Sequence, residues 1–440
     1  MTILHKQLLK QQVCTAIKEH AVEIIALANS IANQPELGFK EHNTANKIAK
    51  IFNQYNIPYT TGHAITGVKG RLSGKTSTRN IAVLGEMDAV TCFEHPLADG
   101  NTGAAHACGH HAQVAAMVGC GIGLITAGIM EHLDGDVTLF AVPAEEYVEI
   151  EYRNQLREQG IIGYLSGKSE LIRQGAFDDI DMAMMIHLST EGEAERTIQI
   201  GGTSNGFIGK MIKYTGKEAH AAGAPHEGVN ALNAAMIAMM AVNAQRETFK
   251  DEDYVRFHPI ITKGGDLVNI VPAEVRMESY VRARTLDAMI DANKKVNRAL
   301  QAGADAVGAQ VEINDLPGFM PMINNPEMSQ LFSNNATELL SEQSIKQLHH
   351  HAASTDMGDL AHIMPVIHPW IGGVKGNAHT RDFTVSDPEM VYIISAQCMA
   401  MTVIDLLTDN ASQAEAVLNS HTAKMTKKEY ISFMDSISKK

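Results

Sequence analysis

Residues 81–90 read I-A-V-L-G-E-M-D-A-V, and this stretch decides how the rest of the chain is read. Its apolar part, 81–85, shows no alternation, as a strand covered on both faces requires. It runs directly into Glu86 and Asp88. Two further runs share the design: 137–142 leads into Glu145 and Glu146, and 182–186 leads into His187. A fourth, 365–371, is followed by His379. Helical stretches over 112–130 and 168–175 lie between the first three strands, so strand and helix alternate as in a parallel sheet with helices on its faces. Ligands in such sheets sit beyond the carboxyl ends of the strands, which is where these polar residues gather.

Between 203 and 315 the pattern changes to strand 206–214, helix 229–246, strand 254–262, strand 273–283, helix 286–302 and strand 310–314. That order is the split β-α-β-β-α-β unit. Because the 365–371 strand and His379 come afterwards, the unit reads as a second domain inserted into the first. The expected organisation is a first domain formed by 1–202 and 316–440, interrupted by an insert at 203–315. The polar, Lys-bearing end of the chain reads as a possible helix without an assigned role.

A chain of 440 residues exceeds what one hydrophobic core usually organises, which agrees with two compact units. The formal net charge of -14 argues against a nucleic-acid or anionic-membrane partner and leaves a small molecule as the simpler substrate. Five cysteines, at 14, 92, 108, 120 and 398, form no disulfide-like framework, so a cytoplasmic, reducing compartment is expected. The N-terminus lacks the pattern of a secretory signal. The uncharged run 112–130 has the length of a membrane span. Its Ala and Gly content, directly after a His/Cys cluster, reads instead as a buried helix.

That cluster is H-A-C-G-H-H at 106–111. Thiolate and imidazole both suit zinc and similar divalent ions, and the glycine between Cys108 and His110 lets the backbone turn so that both face one point. Taken alone, it reads equally as a buried thiol beside a helix-capping histidine. Glu145 and Glu146 repel one another, and a divalent cation would offset that repulsion, leaving one carboxylate to ligate and the other free as a base. A solvated acidic turn is the alternative. His187 alone reads as a satisfied core histidine. His349, His350 and His351 follow a polar stretch and read as a solvated surface run. Cys14, Cys92, Cys120 and Cys398 read as buried small residues. There is no phosphate loop or dinucleotide fingerprint.

Together the motifs resemble the amidohydrolase branch of the aminoacylase/carboxypeptidase metallopeptidase family, which includes hippurate, auxin-conjugate and p-aminobenzoyl-glutamate hydrolases. The resemblance runs through G-E-M-D-A-V at 85–90, H-A-C-G-H at 106–110, P-A-E-E at 143–146, F-D-D-I-D at 177–181 and His187. It continues through E-A-H-A-A-G-A-P-H at 218–226, G-G-D-L-V-N-I-V-P-A at 264–273 and A-S-T-D-M-G-D at 353–359. The last two motifs are most similar to p-aminobenzoyl-glutamate hydrolase and related dipeptidases.

The resemblance implies an α/β fold with a mixed, largely parallel sheet flanked by helices, as in zinc peptidases, and an inserted α+β ferredoxin-like lid that also dimerises. It implies two divalent metal ions per subunit, Zn, Mn or Co, held by Cys108, His110, Glu146, His187 and His379. Glu145 would be the general base, Asp88 the aspartate that orients the metal site, and His220 the lid histidine that polarises the substrate carbonyl. Asn269 and Arg282 would hold the substrate's carboxylate. The implied activity is hydrolysis of a small N-acyl amino acid or aminobenzoyl-glutamate-like amide. The alternatives are a dipeptidase or aminopeptidase of the same family and an inactive metal-binding homologue. Three departures bear on metal and substrate preference. His111 stands where Asp or Asn is common, Gln113 stands where a His is common, and 147–167 replaces a glycine-rich link.

Overall fold

A computed structural model describes residues 3–191 and 195–438. The chain divides into two compact units, Met1–Gly202 with Ile323–His349 and Asp359–Lys427, and Thr203–Met322 with His350–Gly358 and Lys428–Lys440.

The first unit is built on a six-stranded sheet in the order Tyr59–His63, Gly67–Leu72, Asp136–Val142, Asn80–Glu86, Met182–Met184, Val366–Ile367. The first two pairings are antiparallel and the last three parallel, so the sheet is mixed and largely parallel. Every residue of Asn80–Glu86 and Asp136–Val142 is buried, which is why neither sequence alternates. Their register pairs Glu86 with Val142, so both strands end at one level and the chain leaves each of them beside the other.

Helix His110–Thr126 is buried from His110 to Leu124, between the sheet and the helices Ile3–Glu19, Ala21–Ala32 and Ser395–Leu407. It starts two residues earlier than expected, inside the His/Cys cluster, and ends at Thr126. Among the described residues one helical span, Glu389–Leu407, is long and apolar enough to cross a membrane, and from Met390 to Leu407 it is buried in this core.

Two expected strands are broken. The run 182–186 ends as a strand at Met184, and His187–Leu188 joins a separate four-stranded sheet, paired in parallel with Trp370–Ile371. The run 365–371 divides correspondingly into Val366–Ile367 and Trp370–Ile371. Proline at 369 lacks the N–H that a continuous ladder needs, and its carbonyl accepts from His187 N–H at 2.9 Å.

The second unit holds an antiparallel sheet in the order Arg256–Lys263, Glu274–Ala283, Gly206–Thr215, Gln310–Phe319. Helices Ala231–Ala244 and Leu286–Val307 supply its core with Ala234, Ala238, Val296 and Leu300. Asn230 and Thr285 cap them by accepting backbone N–H bonds.

The boundaries differ from the expected 203–315 and 316–440. The last strand keeps pairing as far as Phe319 opposite Phe207, so it cannot stop at 314. His350–His351 pairs with Thr203–Ser204. Helix Lys427–Ser438 lays Phe433 and Ile437 against Ile208, Ala283 and Met289, giving the end of the chain a packing role.

Gly85 sits where the sheet meets helix His110–Thr126: a Cβ there would lie 2.9 Å from both Cα and N of Val114. Backbone cannot yield as a side chain can. Gly85→Ala should therefore lower stability by about 1–3 kcal/mol, measured by denaturant unfolding. Wild-type stability in this variant would mean that the helix is not seated against Gly85.

Candidate metal centre

Three of the segments that carry polar groups beyond the strand ends are aimed by a local backbone feature. Gly109, at φ +89°, occupies the left-handed region between Cys108 and His110 and caps the helix that begins at His110. His379, at φ +62°, is a non-glycine residue in the same region, and its N–H donates to Ala107 O at 2.9 Å. That bond ties the loop carrying His379 to the segment carrying Cys108. Ala144, at φ +54°, turns the chain just ahead of Glu145 and Glu146. Strained non-glycine residues concentrate where the surrounding structure over-determines them, commonly at functional sites.

The side chains converge. Three groups of potential ligands have their donor atoms within 4.8 Å of one another: Cys108, His110 and His187; Cys108, Glu146 and His379; and Glu86, His110 and Glu145. Cys108 Sγ lies 3.6 Å from His187 Nε2, and His379 Nε2 lies 3.0 Å from Glu146 Oε1. His110 Nε2 is 3.2 Å from Glu86 Oε2 and 3.9 Å from Glu145 Oε2. His110 Nε2 and Glu146 Oε1 are buried without an aligned hydrogen bond, although each faces other members of the set.

The other ring nitrogens are committed. His110 Nδ1 faces the Asp88 carbonyl at 3.0 Å and its carboxylate at 3.2 Å, and His187 Nδ1 faces Leu188 O at 2.9 Å. Such bonds leave Nε2 as the lone-pair donor. Asp88 Oδ2 also accepts from Glu146 N–H at 2.9 Å, so one carboxylate aligns both ligating segments. Thiolate, imidazole and carboxylate fit divalent ions of the zinc type.

Protonation follows from the same neighbours. Burial and Glu146 each raise the Cys108 thiol, but His110 and His187 outweigh them and bring it to about 6. Glu146 is opposed by burial yet held at about 2 by His379, whose own ring is raised to about 11, mainly by Glu146. A divalent ion displaces such protons on binding.

Glu86 was legible only as a polar strand end. It is fully buried, accepts from Gln113 Nε2 at 2.8 Å, and pairs with Lys168, itself fully buried. Gln113 also accepts the Glu86 N–H at 3.0 Å, so the departure at this position pins Glu86 in place. Two more residues escaped notice. His368 is buried and pushed down to about 3, by burial and then by His187. Trp370 stacks on His187 at 4.4 Å between ring centroids. Their partners lie far away in sequence, so no local motif could have revealed them.

His220, Asn269 and Arg282 belong to the second unit. There, His220 pairs with Ile270 in an isolated bridge, and Ala221 N–H donates to Asn269 O at 2.9 Å, which makes His220 and Asn269 neighbours. His220 is exposed, and its Nδ1 accepts from Ala222 and Gly223 N–H at 3.2 and 3.0 Å. A neutral ring then carries its proton on Nε2, as a donor. Arg282 donates to Ser354 Oγ at 3.2 Å and lies over the rings of Phe207 and Tyr280.

Of the histidine run at 349–351, His349 is exposed as expected, but His350 and His351 are half-buried rather than solvated. His350 bonds Thr203 Oγ1 at 2.9 Å and Asn205 Oδ1 at 3.2 Å, and stacks on Tyr254. His111 is buried 3.3 Å from Tyr392 OH and stands outside the three ligand groups. Cys120 and Cys398 are buried as expected, whereas Cys14 and Cys92 are only half-buried. Gly202-Thr-Ser-Asn-Gly206 spells the G-x-S-x-G pattern of a nucleophilic serine. Ser204, however, lies in the short strand Thr203–Ser204, and the chain passes into another strand rather than a helix.

A thiolate, imidazole and carboxylate set at the carboxyl ends of an α/β sheet defines a metallohydrolase. The chain belongs to peptidase family M20/M25/M40, whose model matches residues 82–403, and it is a hydrolase acting on amide bonds. It is 27% identical over 423 residues to the Xaa-Arg dipeptidase of Mus musculus, covering 91% of this chain and 89% of that relative. It is 25% identical over 327 residues to the N-acyl-L-amino acid amidohydrolase of Geobacillus stearothermophilus, covering 72% and 82%. Its fold is similar to that of the Bacillus subtilis YXEP protein, described as a dinuclear metal binding peptidase, with a TM-score of 0.65 at 21% identity over 89% and 99% of the two chains.

The Glu86–Lys168 pair makes a direct prediction. Burial by itself would raise Glu86, but Lys168 and then His110 hold it at about 2, against an ordinary value of 4.5. The fold thus favours the ionised form: this contribution to stability is complete above about pH 4.5 and is lost as pH falls toward 2. Lys168→Met should cost about 3–5 kcal/mol at pH 7 and flatten the acid limb of stability, while adding Glu86→Gln should recover most of the loss. Denaturant unfolding across pH checks both, and a fully stable Lys168→Met protein would contradict the assignment.

Proposed function

We propose that this chain is a two-metal amidohydrolase that cleaves the amide bond of a small N-acyl amino acid or dipeptide. The convergence of Cys108, His110, Glu146, His187 and His379 donors beside Glu145 carries the reading. Divalent ions at these donors would supply a Lewis acid for the amide carbonyl and lower the pKa of water toward neutrality.

The remaining steps belong to the chain. Glu145 takes the proton of the attacking water and returns it to the departing amine. Asp88 keeps His110 Nε2 and the Glu146 backbone aligned. The Nε2 proton of His220 suits a donor to the developing oxyanion. Asn269 and Arg282 hold the substrate's carboxylate. Between the two substrate classes, the relative covering 91% of the chain bears the name Xaa-Arg dipeptidase, which favours a dipeptide. All five cysteines are unpaired, in support of a reducing, cytoplasmic setting.

We further propose a homodimer through the lid. Edge strand Arg256–Lys263 leaves Ile260 and Ile261 exposed, a pairing surface that a second copy would cover.

Protein loaded in turn with Zn, Mn or Co should hydrolyse members of a panel of dipeptides, N-acyl amino acids and aminobenzoyl-glutamate, and prolonged chelation should abolish this. Within that assay Glu145→Gln should retain metal while losing several orders of magnitude in kcat, whereas Glu146→Gln should weaken metal binding itself. Equal metal loss in both variants would overturn the assignment of roles, and full activity in metal-free protein would sink the mechanism.

The dimer has its own measurement. If His220 serves the partner's site, mixing inactive His220→Ala and Glu145→Gln homodimers should restore roughly a quarter of wild-type activity, since about half the dimers are mixed and each holds one intact site. No recovery after verified subunit exchange would exclude service in trans.

A further inference from the structure

The turn that carries Glu145 and Glu146 depends on Ala144, held at φ +54° in a region that side chains with a Cβ adopt only at a cost. Its peptide groups are gripped on both sides. The Ala144 N–H donates to Glu41 Oε1 at 2.8 Å, and the other oxygen of Glu41 accepts from the Thr66 hydroxyl at 2.6 Å. The Ala144 carbonyl accepts from Gly167 N–H at 3.1 Å and from Arg153 Nη1 at 3.3 Å. The same Nη1 donates to Leu165 O at 2.8 Å.

Arg153 is fully buried, and its Nε and Nη2 make no hydrogen bond among the described residues. A guanidinium in that condition is costly, and an apolar side chain of similar length would fill the space with less penalty. The surroundings are nevertheless shaped around it. The Phe39 ring lies 5.2 Å from its Cζ, with Phe39 itself at φ +63°. At Gly38 a Cβ would stand 2.2 Å from Nη2 and 2.9 Å from Ala144 Cα. Helix Ile150–Glu158, which bears Arg153, starts from Glu149 at φ +51°, and Lys40 holds the Glu149 carboxylate at 2.7 and 2.8 Å. Three strained non-glycine residues, Phe39, Ala144 and Glu149, thus belong to one bonded assembly.

We propose that Arg153 and Glu41 are positioning residues that lock Ala144 in its left-handed conformation and so aim Glu145 and Glu146 at the metal centre. Neither touches the reacting atoms. The inference rests on the reading of Glu145 as the base and Glu146 as a ligand. It gives the 147–167 segment, which departs from the resemblance, a task at the site: Arg153 comes from within it. Without the lock, Ala144 relaxes to negative φ and rotates the peptide that leads to the two carboxylates. Proton transfer and ion binding then suffer more than substrate binding does.

Arg153→Met should reduce kcat about 10–100-fold, with KM changed less than about threefold. Affinity for Zn, titrated without substrate, should fall by a similar factor. Ala144→Gly should be nearly silent alone, yet in the Arg153→Met background it should restore much of the loss, because glycine adopts positive φ without a steric penalty. An Arg153→Met protein changed only in Tm, or a folded one that Ala144→Gly fails to rescue, overturns the proposal. If Arg153→Met does not fold, Arg153→Lys with and without Ala144→Gly gives the same comparison. Should the wild type hydrolyse nothing, the functional reading falls on its own. Amide hydrogen exchange at Ala144, slow in the wild type and faster in Arg153→Met, still decides the lock, and unchanged exchange refutes it.

Discussion

Glu86, Asp88, Glu145 and Glu146 are all nearly or fully removed from solvent at the ends of two adjacent parallel strands. Negative charges so close together in a low-dielectric interior must each be met by a positive group or a strong donor. Lys168 meets Glu86, His379 meets Glu146, and the Glu146 N–H with His110 meets Asp88. Much of the first unit's irregular backbone serves this balance, since each partner arrives on a segment distant in sequence. A divalent ion is the natural further counter-charge for Glu145 and Glu146.

Delivering those partners to one place bends the chain away from regular geometry. Ala144, Glu149 and His379 all have positive φ, and all lie in or beside the segments that carry the cluster. The fully buried strands and the helix His110–Thr126 provide a rigid frame against which such strain can be held. The second unit faces no such demand. Its sheet is regular over most of its length, its helices are capped conventionally, and two of its functional candidates, His220 and Asn269, stand on the surface.

The sequence by itself determined the class of fold and the larger part of the site. Unbroken apolar runs ending in polar residues located the strands and the side of the sheet on which chemistry gathers, because burial on both faces leaves no other composition possible. The resemblance supplied Cys108, His110, Glu146, His187 and His379 as a set, and the structure brings their side chains together. The β-α-β-β-α-β order was equally plain, since alternation of period 2 and period 3.6 survives without knowledge of the partners.

Only the tertiary structure decided what depends on pairing between distant segments. Lys168 reaches Glu86 across 82 positions, His350 finds Thr203 across 147, and Trp370 stacks on His187 from a strand that sequence had merged with its neighbour. The break at Met184, the extension of the last lid strand to Phe319 and the packing of the terminal helix are likewise set by partners rather than by local composition. A side chain's type limits which bonds it can make. Which of them it does make is chosen by the fold, because an unmet charge in the core costs more than any local propensity can recover.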